Sequence, residues 1–110
     1  MNVVSLERIK MKKILLVCSA GMSTSMLVKK MEEAAKKQNY EVYIEAHAAN
    51  EVRTIGLNWD VILLGPQVRF QLKEFRNFFP NKPIDSIEMR SYGRMDGESV
   101  LNQAKTLLKD

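Results

Sequence analysis

Polar and apolar positions along this chain fall into alternating blocks of two different periods. Ile14-Leu15-Leu16-Val17 is an unbroken apolar run with lysines before it and small residues after it, the pattern of a strand covered on both faces. Met26, Leu27, Met31, Ala34 and Ala35 then share one helical stripe, while Lys29, Glu32, Glu33, Lys36 and Lys37 take much of the other side. This predicts a helix of about four turns. Residues 41–46 alternate, with Val42, Ile44 and Ala46 on one face, as in a strand covered on one side at the edge of a sheet. A short, weak helix is predicted over 50–57. Val61-Ile62-Leu63-Leu64 is a second continuous apolar run, stopped by Gly65-Pro66. Pro66 suits the first turn of a helix whose apolar side is Val68, Leu72, Phe75 and Phe79, and Pro80-Asn81-Lys82-Pro83 ends it. Residues 84–87 read as a fourth strand and 90–97 as a loop with two glycines. Val100, Leu101, Ala104, Leu107 and Leu108 mark a closing helix.

The order β-α-β-α-β-α-β-α predicts an α/β fold, with a parallel sheet, right-handed crossovers and helices on both faces. Ligands of such sheets bind beyond the carboxyl ends of the strands. Three segments qualify by position: 18–25, 65–67 and 91–97.

Composition narrows the classes. With 110 residues, 45% hydrophobic and 27% charged, the chain has room for one domain with one core. Met11-Lys12-Lys13 has the look of a natural start, so residues 1–10 are expected to be an N-terminal extension and 11–110 the single domain. No apolar run approaches the roughly 20 residues of a membrane span, so the chain is not expected to span a membrane itself. The run before Cys18 is also too short for a signal peptide, and Val17 is not the small residue that lipidation or cleavage there requires. One cysteine and one histidine, Cys18 and His47, are too few for a disulfide or a transition-metal site, so neither a metal nor any other cofactor is expected. Of the net charge of +4, residues 1–13 hold +3. The lysines of the remainder alternate with glutamates, which disfavours nucleic acid as a partner.

The chemistry concentrates at Cys18. It ends the first predicted strand and opens the run Cys18-Ser19-Ala20-Gly21-Met22-Ser23-Thr24-Ser25, directly ahead of a helix. Seven small or flexible residues let successive backbone N–H groups converge on one point, and the helix N-terminus adds positive potential, so the turn can cradle a phosphate. The same field favours the thiolate, the form of Cys18 that attacks phosphorus. The hydroxyls of Ser19, Ser23, Thr24 and Ser25 can add hydrogen bonds, and one of them is expected to cap the helix instead. The competing interpretation makes Cys18 a buried core residue and the serines loop filler. A nucleotide site is disfavoured, because neither G-x-G-x-x-G nor G-x-x-x-x-G-K is present.

A cysteine over a phosphate cradle serves a phosphatase or a phosphoryl carrier. Low-molecular-weight phosphatases carry C-x5-R, whose arginine clamps the phosphate. Here that position is Thr24, and no arginine stands between Cys18 and Arg53. Without the clamp a phosphocysteine would hydrolyse slowly, which favours transfer over hydrolysis.

At these residues the chain resembles enzyme IIB of the bacterial sugar phosphotransferase system, lactose/cellobiose (diacetylchitobiose) type. The resemblance rests on the run 18–25, on Leu64-Gly65-Pro66-Gln67, on Pro80-Asn81-Lys82-Pro83, and on Tyr92-Gly93 followed by Asp96-Gly97, and extends from Met11 to about Lys109. It implies a four-stranded parallel sheet in the order 2-1-3-4, flavodoxin-like and similar to the low-molecular-weight phosphatases, in a cytoplasmic protein. It further implies that Cys18 takes a phosphoryl group from a phosphohistidine of enzyme IIA. Cys18 then passes it to a sugar, a β-linked disaccharide such as cellobiose, chitobiose or lactose, bound by the membrane subunit IIC. Cys18 is then the nucleophile, and Ser19, Ala20, Gly21, Met22, Ser23, Thr24 and Ser25 the cradle. Gln67, Tyr92 and Asp96 are second-tier candidates, with a loop-closing or helix-capping role favoured for Asp96. His47 is expected to be an exposed surface histidine. Met22 and Met26 are candidates for an adaptable apolar contact with IIA and IIC, against the commoner role of core residues. The alternatives are a low-molecular-weight cysteine phosphatase or arsenate reductase, and a noncatalytic flavodoxin-like binding module.

Overall fold

The computed structural model describes residues 11–19 and 22–110. The N-terminal extension expected over residues 1–10 therefore lies outside the described residues, as do Ala20 and Gly21 of the cradle. Four strands, β1 (Lys12–Cys18), β2 (Val42–Ala48), β3 (Val61–Leu64) and β4 (Ile84–Ser86), form one parallel sheet in the order β2-β1-β3-β4. The two continuous apolar runs are the two inner strands. Each is buried on both faces, which is why neither shows the alternation of β2 at the edge.

The helices are α1 (Met22–Lys37), α2 (Val52–Ile55), α3 (Leu72–Phe78), α4 (Met89–Gly93) and α5 (Gly97–Leu108). The sheet separates two cores. Ile14 and Leu16 of β1 point to one side, where Leu27 and Met31 of α1 and Val100, Leu101 and Ala104 of α5 pack on them. Leu15 and Val17 point to the other, against Val52, Trp59, Val68, Phe75 and Phe79. Full burial of a single Leu, Ile or Phe contributes about 1.5–3 kcal/mol, so the two sides of β1 hold the layers together.

Several expectations need correction. Helix α1 begins at Met22, not after Ser25: Met22, Ser23, Thr24 and Ser25 make its first turn, and only residues 19–21 separate it from β1. Met26, placed on the apolar stripe by periodicity, is 57% exposed. The weak helix expected over 50–57 is a single turn, α2, between two 3-10 turns at Ala49–Glu51 and Gly56–Asn58. The helix expected from Pro66 starts as a 3-10 segment, Pro66–Gln71, and becomes α-helical only at Leu72. Residues 90–97 are not all loop: α4 occupies 90–93, burying Ser91 and Tyr92, and Gly97 opens α5. A side chain is excluded at Gly97, where an added Cβ would lie 2.3 Å from the carbonyl carbon of Lys30. The N-terminus of α5 thus rests directly on the backbone of α1.

Candidate functional site at the end of the first strand

Both inner strands end at one place. The N–H of Gly65 donates to the carbonyl of Val17 at 2.7 Å, and a Cβ on Gly65 would stand 3.1 Å from that same oxygen. On the other side Cys18 pairs with Ala48 of β2. Backbone contacts on both flanks therefore fix the residue that carries the thiol.

Cys18 is only 2% exposed, and Thr24, one turn into the sequence beyond it, is fully buried. The Thr24 hydroxyl donates to the Cys18 sulfur, Oγ1 to Sγ 2.9 Å. Burial thus agrees with the core interpretation of Cys18, while the sulfur also has a polar partner, a hydroxyl from the first turn of a 16-residue helix. The first turn of α1 holds no acidic residue and its last turn holds Lys36 and Lys37, so the positive end of the helix faces the strand end unneutralised by its own side chains. Ser19 and Ser25 are exposed. Thr24 stands where a phosphatase would carry its arginine, and it is engaged with the thiol.

Gln67 and Tyr92 are brought together beside this point. Gln67 Nε2 donates to the Tyr92 hydroxyl at 3.4 Å, and the Gln67 Oε1 and the Tyr92 ring both lie against Gly65. Asp96 is drawn elsewhere. Its carboxylate caps α5, accepting from the Ser99 N–H at 3.1 Å and from the Ser99 hydroxyl at 2.9 Å. Those bonds lower its pKa below the ordinary carboxylate value, and it lines a cavity with Lys30, Ala34 and Gln38 of the α1 side.

His47, expected to be an exposed surface histidine, is partly buried and held between two carboxylates. Its Nε2 lies 2.8 Å from Glu45 Oε1 and its Nδ1 2.6 Å from Glu51 Oε1, with the ring edge against Trp59. The bond to Glu45, opposed by partial burial and helped by Glu51, raises its pKa above the usual histidine value. Two features escaped the sequence reading: the Thr24–Cys18 bond and the His47 clasp. The second had a signal, since residues two apart on a strand share a face.

A doubly wound parallel α/β domain that ends its first strand in a lone cysteine, bonded by a hydroxyl from the next helix, defines the class. Residues 13–103 match the family described as PTS system, lactose/cellobiose-specific IIB subunit, and the chain belongs to that family. The oligo-β-mannoside-specific EIIB component of Bacillus subtilis is 39% identical over 100 residues, covering 89% of this chain and 97% of that protein. The galactose-specific EIIB component of Lactococcus lactis subsp. cremoris is 40% identical over 104 residues, covering 88% and 96%. Among solved structures, the cellobiose-specific IIB component of Borrelia burgdorferi superposes with a TM-score of 0.77 at 41% identity, covering 91% of this chain and 94% of that one. The lactose-specific IIB domain of Streptococcus pneumoniae, at 21% identity and a TM-score of 0.78 over 88% of this chain and 97% of that one, shares the fold. No helix among the described residues is long and apolar enough to cross a membrane.

Proposed function

We propose that this chain is a phosphoryl carrier of sugar uptake, working in the cytoplasm, with Cys18 as the carrier atom's residue. The Cys18 thiolate attacks the phosphorus of a phosphohistidine on enzyme IIA: the S–P bond forms, the N–P bond breaks, and the imidazole nitrogen keeps the bonding pair. In the second step a hydroxyl oxygen of the sugar held by membrane subunit IIC attacks the same phosphorus. The thiolate leaves with the S–P pair, and the hydroxyl's proton is taken up on the acceptor side. The sugar is a β-linked disaccharide of the cellobiose, chitobiose or lactose kind. Ser19 to Ser25 form the cradle, and Gln67 and Tyr92 border it.

The observation that carries this is the hydrogen bond from Thr24 to the Cys18 sulfur. A hydroxyl there can stabilise a thiolate before transfer and as leaving group after it, yet lacks the full charge with which an arginine would speed attack by water. Intact mass is the test. After incubation with phosphoenolpyruvate, the general phosphotransferase proteins and a IIA component, the chain should gain one phosphoryl group, and Cys18→Ser none. Label mapped to His47 or a serine would overturn the proposal. So would brisk, Cys18-dependent hydrolysis of p-nitrophenyl phosphate or turnover of arsenate, which would put a phosphatase or reductase in its place.

A further inference from the structure

The connection from the edge strand β2 to β3 is lightly held. The 3-10 turn Ala49–Glu51, α2 and the 3-10 turn Gly56–Asn58 follow one another, and no side chain caps any of the three. Of residues 49–58 only Val52 and Gly56 are buried. A segment with so few buried contacts opens at less cost than the fold as a whole. His47 touches it at both ends: Nδ1 lies 2.6 Å from Glu51 Oε1 in the first turn, and the ring edge stands against Trp59, which follows the last.

The two carboxylates that grip the imidazole are anchored unequally. Glu45 lies on β2 itself, 2.8 Å from Nε2, and also accepts from the hydroxyl of Tyr43, whose ring is stacked on Trp59. Glu51 is 48% exposed, and among the described residues its side chain bonds only to His47. An imidazolium donates from both nitrogens, whereas neutral imidazole keeps one N–H and turns a lone pair toward the other carboxylate. Loss of the proton therefore breaks one bond, and the less anchored partner, Glu51, is the one that leaves. The nearby cations are occupied elsewhere: Lys13 of β1 sits over the Tyr43 and Trp59 rings, and Arg53 of α2 is paired with Glu74. The His47 side chain is 28% exposed, so its proton exchanges with solvent.

We propose that His47 is a pH-sensitive latch on this connection: protonated, it ties Glu51 and the turns of residues 49–58 down beside Trp59, and on losing its proton it frees Glu51 and lets that segment open while the sheet stays closed. Both carboxylates favour the protonated ring, so release falls on the alkaline side of the usual histidine value. The segment starts directly after Ala48, the strand partner of Cys18, so the opening begins beside the strand end that carries the thiol.

Hydrogen–deuterium exchange followed by mass spectrometry tests this on the full chain. Peptides spanning 49–58 should lose protection about two- to fivefold between about pH 6 and about pH 8.5, after correction for the intrinsic pH dependence of exchange, the effect expected of a partly exposed ion pair. Peptides of β1 should keep theirs. Trp59 is the one tryptophan of the chain and gives a second readout: quenching of its fluorescence by acrylamide should rise with the midpoint of the His47 imidazole signals. His47→Gln and Glu51→Ala should each abolish the pH dependence, and Glu51→Ala should leave 49–58 as open under the acidic condition as the parent is under the alkaline one. Equal protection of 49–58 at the two pH values in the parent would overturn the latch. So would a loss that persists undiminished in both variants, or one that β1 shares equally, since the whole fold would then be loosening and not this segment.

Discussion

Replacing Thr24 by Val probes the bond on which the proposed chemistry turns. The exchange nearly preserves shape and removes only the hydroxyl that donates to Cys18 at 2.9 Å. Thr24 is fully buried, so water does not readily take the hydroxyl's place. A hydrogen bond to a neutral group contributes about 0.5–1.5 kcal/mol net, and one to a charged group about 1.5–3 kcal/mol. If Cys18 reacts as a thiolate, the difference between these, about 1–2 kcal/mol, is lost from the reactive form relative to the resting one. At 1.36 kcal/mol per factor of ten this is a slowing of about 5- to 30-fold in alkylation of Cys18 by iodoacetamide at neutral pH, followed by intact mass, and a similar slowing in acceptance from IIA. Thr24→Ser keeps the donor and should retain most of the activity, at a stability cost of about 1 kcal/mol for the missing methyl. Denaturation in urea should place Thr24→Val within about 1.5 kcal/mol of the parent. A folded Thr24→Val protein that alkylates and accepts phosphoryl groups at the parent rate would refute the assignment of the hydroxyl.

Two other outcomes follow from geometry remote from the thiol. Gly97→Ala puts a Cβ 2.3 Å from the Lys30 carbonyl carbon and 2.5 Å from its oxygen, so α5 must lift off α1. Urea denaturation should show a loss of about 1–3 kcal/mol despite alanine's better helix propensity, and a stability equal to the parent's would contradict the packing. His47 is the one histidine of the chain, so its imidazole signals can be followed alone by NMR. Both ring nitrogens face carboxylate oxygens, and only the imidazolium donates through both. With a folded pKa raised above the usual value, chiefly by Glu45, the clasp's contribution is fully present below the unfolded value of about 6.5 and fades as pH rises through the folded one. Glu45→Gln should lower the titration midpoint, and His47→Gln should flatten the decline of stability across that window. A midpoint indifferent to Glu45→Gln would rule the clasp out.

The fold was legible because its inner strands are written as runs that only double burial explains, Ile14 to Val17 and Val61 to Leu64. Helices three turns or longer, α1 and α5, repeat their apolar stripe often enough to be seen. Helix α4 does not: five residues make little more than one turn, and Met89 and Tyr92 establish no period. The start of α1 was hidden differently. Ser23, Thr24 and Ser25 are turn-formers in isolation, and their place in the first helical turn reflects the tertiary setting, with Thr24 buried against Cys18. The same choice concealed the role of Thr24, which sequence comparison marks as a missing arginine and the structure marks as a bond to the sulfur. Gln67 and Tyr92 were named from separate segments, and the crossover connections bring them together against Gly65.

The 2.7 Å bond from Gly65 to Val17 makes the position of the strand end that carries Cys18 a matter of main chain. Side chains of β1 and β3 can be exchanged for others of similar volume without shifting it, provided residue 65 stays without a Cβ. Of the segment that follows, Thr24 reaches the sulfur through its side chain, and Ser19 and Ser25 are exposed. On the carrier function proposed above, a substitution at Thr24 would alter what becomes of the phosphoryl group while this backbone platform stays as it is.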